Sequence, residues 1–246
     1  MAGHSHSANI AHRKGAVDAK RGKLFSKLCR KIFVAAKNGG GDPDTNLPLR
    51  YAIDKARSVS CPKDNIERSI KKATGELAAE NYEEVTYEGY GPGGVAVLCE
   101  VLTDNRNRTA GDLRKAFEVC GGNLGANGCV SYLFVFKGLF VIEAKIVAED
   151  RLMEVVLEAG ADDLNRVEEY FEVICDPKVF ESVRKTLEQA KIATEVAETT
   201  YLPSNNMKLD PDFSKRMLRL RDLLEENEDV QNTYDNAEIA DELVSA

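Results

Sequence analysis

Residues 82–102 read YEEVTYEGYGPGGVAVLCEVL, and this stretch decides between two fold classes. Its two halves, 82–88 and 95–102, have the composition of strands, and a Gly-Pro-Gly-Gly turn separates them. Residues 89–94 also match the pattern G-x-G-x-x-G, but a dinucleotide-binding loop needs a helix to begin inside that pattern. Because Pro92 interrupts the pattern and a strand follows it, we interpret the glycines as a turn and exclude a Rossmann fold.

The segments after this hairpin predict a chain of mixed helices and strands. A helix is predicted at 109–120, with Thr109 and Asp112 as a capping pair and Gly121 at its end. Apolar periodicity and turn residues predict the other elements, which are strands at 129–136, 139–145, 168–175, 192–201 and 229–235 and helices at 149–159, 176–190 and 211–226. The fold class is therefore α+β.

The order of these elements predicts the domain organisation. Residues 138–203 read β-α-β-α-β, a layout that resembles the ferredoxin-like fold. Residues 77–137 lack a closing helix and strand, and 204–237 supply both, so we expect the third domain to be inserted in the second. The predicted parts are a flexible basic arm at 1–19, a basic three-helix domain at 20–76, an α+β domain at 77–137 plus 204–246, and an inserted α+β domain at 138–203.

The N-terminal domain is predicted from three amphipathic segments. Residues 20–37 place their apolar side chains on one half of a helical wheel and most of their lysines and arginines on the other. The glycines and the proline of 39–43 end this helix. A second helix is expected at 47–59 with Asn46 as its N-cap, and a third begins at Pro62.

Positive charge is concentrated in this N-terminal part. The whole chain of 246 residues has 33 basic and 41 acidic residues, a formal charge of −8. Residues 1–75 hold 16 basic and 6 acidic residues, a local charge of +10, and the remaining residues carry −18. Residues 222–246 contain nine acids and no lysine or arginine. This asymmetry indicates a polyanion-binding module joined to acidic domains; a solvated basic face without a partner is the alternative.

Composition excludes several classes of protein. Hydrophobic residues make up 43% and charged residues 30%, which is typical of soluble globular proteins. No apolar run approaches the ~18 residues of a membrane span, and the N-terminus lacks the apolar core of a secretory signal. The six cysteines form no C-x-x-C pair and favour buried thiols in a reducing cytosol over a zinc site.

The residues expected to contact nucleic acid fall into three groups. The arm supplies His4, His12, Arg13 and Lys14. The first helix supplies Arg21 and a basic ridge, defined as Lys20, Lys23, Lys27, Arg30 and Lys31. The polar loop 103–109 supplies Arg106 and Arg108.

Each group has an alternative interpretation. The arm histidines, with His6, are also compatible with metal binding or with a disordered segment. The loop is equally compatible with an Asx-rich turn in which Asp104 holds backbone amides. We expect no catalytic residue, no resident metal and no cofactor, because no nucleophile elbow, phosphate-binding loop or H-E-x-x-H pattern is present.

Seven motifs in a fixed order carry a family resemblance. They are Met1-Ala2-Gly3-His4-Ser5, His12-Arg13-Lys14, Gly39-Gly40-Gly41-Asp42-Pro43, Pro62-Lys63-Asp64-Asn65-Ile66-Glu67-Arg68, Tyr87-Glu88-Gly89-Tyr90-Gly91-Pro92-Gly93-Gly94, Thr103-Asp104-Asn105-Arg106-Asn107-Arg108-Thr109 and Gly121-Gly122-Asn123-Leu124-Gly125. With these motifs the chain resembles the YebC family over essentially its whole length. The resemblance implies a three-domain α+β protein, with an N-terminal helical domain followed by two α+β domains, the third inserted in the second.

The resemblance also implies a function. Members are described as cytoplasmic DNA-binding transcriptional regulators; mitochondrial relatives act as translational activators, and bacterial members have been linked to ribosomes stalled on proline-rich stretches. We therefore expect a non-enzymatic, DNA-binding transcriptional regulator in the cytoplasm. The alternatives are a translation factor bound to ribosomal RNA or tRNA, and an acidic protein-interaction scaffold. No membrane or small-molecule partner is expected.

The arm departs from the family pattern. Members usually begin A-G-H-S-K-W-A-N-I-K-H-R-K, whereas this chain has His6, Ser7 and Ala11 at the Lys, Trp and second Lys positions. Two charges and one stacking aromatic are therefore lost. If the arm touches RNA, we expect weaker binding or a pH-dependent role for His6.

Overall fold

The computed structural model describes residues 21–75 and 82–239, which form two compact units. The first, called here the helix-rich unit, contains residues 21–75, 82–131 and 212–235. The second, called the ferredoxin-like unit, contains residues 132–211 and 236–239. The predicted arm at 1–19 lies outside the described residues, and the predicted subdivision into three domains stays a prediction.

The described residues contain seven α-helices and ten strands. The helices are α1 Arg21–Gly39, α2 Leu47–Ser58, α3 Lys63–Ala73, α4 Arg106–Val119, α5 Glu149–Glu158, α6 Phe180–Gln189 and α7 Pro211–Glu226. The strands are β1 Glu83–Tyr90, β2 Ala96–Thr103, β3 Asn123–Leu124, β4 Phe134–Glu143, β5 Ala161–Val167, β6 Tyr170–Cys175, β7 Val196–Pro203, β8 Met207–Lys208, β9 Val230–Asp235 and β10 Ala237–Glu238. The predicted α+β class, with a helical region followed by α+β domains, is confirmed.

The three N-terminal helices pack around one apolar core. Ile32, Leu49 and Ala56 are completely buried there. Asn46 caps α2 as predicted, because its side-chain oxygen accepts from the Leu49 amide at 3.2 Å. The same side chain donates to the carbonyl of Ala35 at 2.8 Å, so the cap also holds α2 against α1.

The sheet of the helix-rich unit has the strand order β3-β1-β2-β9. Its three pairings are antiparallel, and Leu98 of β2 lies opposite Tyr234 of β9. The glycine-rich stretch joins β1 to β2 through a short 3-10 turn in which Gly93 has φ 73°, and no helix begins there. The pattern G-x-G-x-x-G is therefore a hairpin turn, as the sequence predicts.

Helix α4 begins earlier than predicted. Asn105 is its N-cap, and the Asn105 side chain accepts from the Arg108 amide at 3.1 Å. Thr109 is not a cap. It lies one turn inside the helix, and its buried hydroxyl donates a hydrogen bond to Asp229. The predicted Thr109–Asp112 capping pair is wrong because Asn105, another strong capping residue, precedes it.

The ferredoxin-like unit has the order βαββαβ and a four-stranded antiparallel sheet, β5-β6-β4-β7. Strand β5 was not predicted from the sequence, so the predicted β-α-β-α-β lacks one strand. Strand β5 lies at a sheet edge and reads ADDLNRV, with mostly exposed residues, so it has no apolar run to detect. The strands predicted at 129–136 and 139–145 are also wrong: β4 is one continuous strand, preceded by a 3-10 turn at Ser131–Leu133.

All six cysteines are free, with Cys29 and Cys129 half-buried and the other four buried. Among the described residues, no helix combines the length and the apolar character needed to cross a membrane.

Two glycine substitutions are predicted to change stability in opposite directions. A Cβ on Gly122 would overlap the carbonyl oxygen of Tyr90 and lie 3.0 Å from the Gly91 Cα, where β3 meets β1. We expect Gly122→Ala to lower the free energy of unfolding by about 2 kcal/mol.

Gly111 is the matched control. It is a helical glycine of α4 with no heavy atom within 4 Å of an added Cβ, so Gly111→Ala should raise the unfolding free energy by about 0.5–1 kcal/mol. Urea denaturation of the full chain measures both values. Equal effects of the two substitutions would contradict the close approach of β3 and β1.

Candidate nucleic-acid interface

The structure describes half of the side chains that were predicted to contact nucleic acid. His4, His12, Arg13, Lys14, Lys20 and the Arg21 side chain lie outside the described residues. The other six lie in the helix-rich unit, and they are Lys23, Lys27, Arg30, Lys31, Arg106 and Arg108.

Two ridge lysines of α1 contact the C-terminal end of α7. Lys23 Nζ donates to the carbonyl oxygen of Glu226 at 3.2 Å, and Lys27 Nζ donates to that of Glu225 at 2.7 Å. The last carbonyls of a helix lack partners within the helix and carry a partial negative charge, so ammonium groups are stabilising there. The two lysines therefore cap α7 from another helix.

Arg30 continues this contact into the segment that follows α7. Its Nη1 donates to the Glu228 carbonyl at 2.6 Å and to Asp229 Oδ1 at 2.7 Å. The Arg30 side chain is only 13% exposed, and its guanidinium lies over the Tyr82 ring, 5.4 Å from the centroid. Lys31, the next ridge residue, is half-buried.

Asp229 gathers side chains from three elements. Its Oδ2 accepts from the Thr109 hydroxyl at 2.6 Å, from Arg108 Nη2 at 2.9 Å and from the Thr103 hydroxyl at 3.2 Å. With Arg30 on Oδ1, the buried carboxylate is bound on both oxygens. Thr103, Thr109, Arg108 and Arg30 belong to β2, α4 and α1, so Asp229 joins the helical region to the sheet.

This environment keeps Asp229 ionised. Burial alone would raise its pKa, but the hydrogen bonds from Arg108 and Thr109 and the charge of Arg30 outweigh burial, so the pKa of Asp229 is lowered. Hydrogen bonds from Arg108 to Asp229 and Asp104 in turn raise the pKa of Arg108. The cluster is thus a permanently charged ion-pair network near neutral pH.

Both arginines of the 103–109 loop are also paired within the unit. Arg106 forms an ion pair with Glu83, and Arg108 bridges Asp104 at 2.7 Å and Asp229. The turn is Asx-rich, although Asn105 rather than Asp104 holds the helix amide. Arg106 and Arg108 remain about half exposed, so phosphate could reach them only from their solvent side.

These contacts surround an open cavity of about 620 Å³. Three basic and five acidic side chains line it, together with Tyr82 and Asn227: Lys23, Arg30, Arg108, Asp104, Asp112, Glu226, Glu228 and Asp229. Because acids outnumber bases, the cavity is not an attractive site for a polyanion in this arrangement.

Exposed positive charge of the described helical region also lies on α2 and α3. We call this set the α2–α3 basic face; its exposed members are Lys55, Arg57, Lys63, Arg68 and Lys71, and its sixth member, Lys72, is half-buried. Among the residues that the structure describes, Lys55, Arg68 and Lys71 have no ion-pair partner, and all three are exposed. None of these six residues was among the predicted contacts, although the spacing of Arg68, Lys71 and Lys72 on one side of α3 indicated a basic surface.

A second buried carboxylate is structural. Glu88 accepts from the backbone amides of Gly128, Val130 and Ser131 at 2.7, 2.8 and 2.7 Å. Burial would raise the pKa of Glu88, but these hydrogen bonds outweigh it and lower the pKa. The carboxylate therefore anchors the loop that leads out of the helix-rich unit.

The described residues offer no constellation for a metal ion. No group of three or more histidine, cysteine, aspartate or glutamate side chains converges within 21–75 and 82–239. The three histidines of the arm lie outside those residues, so the metal-binding alternative for the arm is not addressed by them.

Comparisons with known proteins cover nearly the whole chain. The family model of the TACO1/YebC protein N-terminal domain matches residues 5–76, and that of the TACO1/YebC second and third domain matches residues 82–237. A probable transcriptional regulatory protein of Geobacter sulfurreducens is 55% identical over 242 residues, covering 98% of each chain. A protein of the same name from Geobacter sp. strain M21 is 53% identical over 98% of each chain.

A solved structure also matches most of the chain. The crystal structure of a conserved hypothetical protein, Aq1575 from Aquifex aeolicus, matches with a TM-score of 0.79 and 46% identity, covering 91% of this chain and 93% of that one. The fold and the named relatives together define the class as an α+β regulatory protein with an N-terminal helical region. The chain belongs to the TACO1/YebC family.

Two similar substitutions in the Asp229 network should lower the free energy of unfolding by very different amounts. Asp229→Asn removes the buried charge between Arg30 and Arg108, and we expect the free energy of unfolding to fall by about 3 kcal/mol. Asp104→Asn removes the other, half-exposed partner of Arg108 and should cost less than about 1 kcal/mol. Comparable losses in urea denaturation would contradict the role of Asp229.

The effect of Asp229→Asn on the free energy of unfolding should depend on pH. Because the pKa of Asp229 is lowered in the fold, its stabilisation is fully present above the ordinary value of 3.8 and is lost as pH falls through the lowered value. The difference in unfolding free energy between wild type and Asp229→Asn should therefore be largest near neutral pH and shrink in acid. Denaturation curves between neutral and acidic pH measure it; a difference that grows in acid would contradict the assignment.

Proposed function

We propose that this protein is a non-enzymatic, nucleic-acid-binding regulator of gene expression, of the DNA-binding transcriptional type, acting in the cytoplasm. The observation that carries the proposal is the α2–α3 basic face, whose cations are exposed in a chain whose residues after 75 carry a charge of −18. Family membership supports the regulatory role, since relatives are named probable transcriptional regulatory proteins.

The geometry supports phosphate recognition rather than base stacking. Lys55, Arg68 and Lys71 lack internal ion pairs among the described residues, so binding phosphate costs them no existing partner there. Tyr51, on the same side of α2 as Lys55, is the exposed aromatic of these helices. One aromatic is too few for the stacking platforms of single-strand binders, so affinity would come mainly from counterion release.

The basic ridge differs from the α2–α3 basic face because its cations already have partners within the fold. Lys23, Lys27 and Arg30 contact residues 225–229, and those contacts must be exchanged for phosphate before the ridge can bind nucleic acid. The interface would extend beyond α2 and α3 through the arm residues His4, His12, Arg13 and Lys14, the ridge residue Lys20 and the loop arginines. The proposal therefore assigns first contact to the basic face and the arm.

Neutralising the face tests the proposal. In the full chain, Lys55→Gln, Arg68→Gln and Lys71→Gln together remove three exposed charges. With duplex DNA, we expect the slope of log affinity against log salt to become shallower by about 2–3, at ~0.9 for each lost phosphate contact. Titrations followed by fluorescence anisotropy at several salt concentrations measure this slope.

The control carries the same charge change at a different place. Lys178, Lys185 and Lys208 are exposed lysines of the ferredoxin-like unit. Lys→Gln at all three should change the salt slope by no more than the ~0.9 that one phosphate contact contributes. An unchanged slope in the α2–α3 variant, or an equal loss in both triple variants, would overturn the assignment of the face.

A second experiment identifies the nucleic acid. Ultraviolet crosslinking in cells followed by sequencing recovers whatever lies against the protein. Recovery of chromosomal DNA supports transcriptional regulation. Enrichment of ribosomal RNA or tRNA would replace it with the alternative of a translation factor on stalled ribosomes, and recovery of neither would favour the protein-interaction scaffold.

A further inference from the structure

Three cations of α1 form a stripe that is already occupied within the fold. Lys23, Lys27 and Arg30 advance by four and three residues, so they lie on one side of the helix and span about 10 Å along its axis. Each donates to an oxygen of residues 225–229, at distances from 2.6 to 3.2 Å. Phosphate oxygens would bind the same donors, so this segment and a nucleic acid compete for the stripe.

The contacts at the two ends of the stripe differ in strength. Lys23 is exposed, and both lysines bind neutral backbone carbonyls of the last turn of α7, which are weak contacts. Arg30 instead pairs with Asp229, and the two side chains are only 13% and 6% exposed. Because breaking a buried ion pair is costly, the lysine end of the stripe opens first and the Arg30 end stays closed.

Acidic side chains lie beside these cations. Glu226 and Glu228 are exposed and line the same open cavity as Lys23 and Arg30. Glu228 also forms an ion pair with Arg30 at 3.4 Å. The two carboxylates attract the cations of α1 and repel an approaching phosphate, so their charges favour the contact within the fold over a contact with nucleic acid.

We propose that residues 225–228 are an autoinhibitory segment, which occupies Lys23 and Lys27 in the free protein and is displaced from them by the phosphates of a bound nucleic acid. The segment thereby regulates the interface of the proposed function, on which this inference rests. Because it belongs to the same chain, its effective concentration at the lysines is high, and a polyanion with few contacts does not displace it. A nucleic acid that also engages the α2–α3 basic face supplies the additional binding free energy.

Neutralising the two exposed acids tests the proposal. The variant with Glu226→Gln and Glu228→Gln keeps both backbone carbonyls but removes the charges beside the lysines and the ion pair with Arg30. We expect the full chain to bind duplex DNA about fivefold or more tightly than wild type, at the lower end of typical coupling between two binding events. Fluorescence anisotropy near physiological salt, where distant surface charges are screened, measures the affinity.

The matched control carries the same change of charge elsewhere. Glu154 and Glu158 are exposed acids on α5 of the ferredoxin-like unit. Glu154→Gln with Glu158→Gln should leave the affinity within about twofold of wild type, because these charges are screened from the stripe. Adding Lys23→Gln to the Glu226 and Glu228 variant should cancel most of its gain, since the DNA then lacks the released lysine. An equal gain in the control, no gain in the Glu226 and Glu228 variant, or a gain that persists without Lys23 would overturn the proposal.

Hydrogen exchange of the wild-type protein tests the displacement without any substitution. When duplex DNA is bound, the backbone amides in the last turn of α7 should exchange faster, because the lysines that cap this turn have been withdrawn. Unchanged or slower exchange there in a DNA-bound sample would overturn this inference alone. Failure of both the wild type and the Glu226 and Glu228 variant to bind the duplex would overturn the proposed function together with it.

Discussion

One buried carboxylate connects the elements of the helix-rich unit. Asp229 lies just before β9 and accepts hydrogen bonds from α1, α4 and the end of β2, while its backbone carbonyl accepts from Leu102 at 2.8 Å. A buried charge is costly unless its partners are all in place. The position of the three-helix region against the sheet is therefore fixed by the requirement that Arg30 and Arg108 reach the same side chain.

Some of the basic side chains of α1 are paired with acidic residues near the C-terminus of the chain. The ridge lysines of α1 and Arg30 bind carbonyls and carboxylates of 225–229, in a segment that has acids and no bases. Part of the excess positive charge at the N-terminus is thus balanced within the fold. Exposed cations remain on α2 and α3, where Lys55, Arg68 and Lys71 have no ion-pair partner among the described residues.

The sequence predicted the elements that depend on neighbouring residues, but it did not predict contacts between residues that are distant in the chain. The periodicity of α1, the cap at Asn46 and the glycine-rich hairpin turn follow from neighbouring residues, and the structure has all three. Strand β5 was missed because an exposed edge strand needs no apolar pattern. The partners of Lys23, Lys27 and Arg30 lie about two hundred residues away, and no local rule pairs them.

The pairing of β2 with β9 also has a consequence for synthesis of the chain. Thr103 ends β2, and β9 begins only at Val230, after the whole of 132–211 has been made. While the chain grows from its N-terminus, β2 has an open edge and the α1 cations face water without residues 225–229. A nascent chain is therefore more basic on its surface, and more prone to pair through β2, than the finished protein.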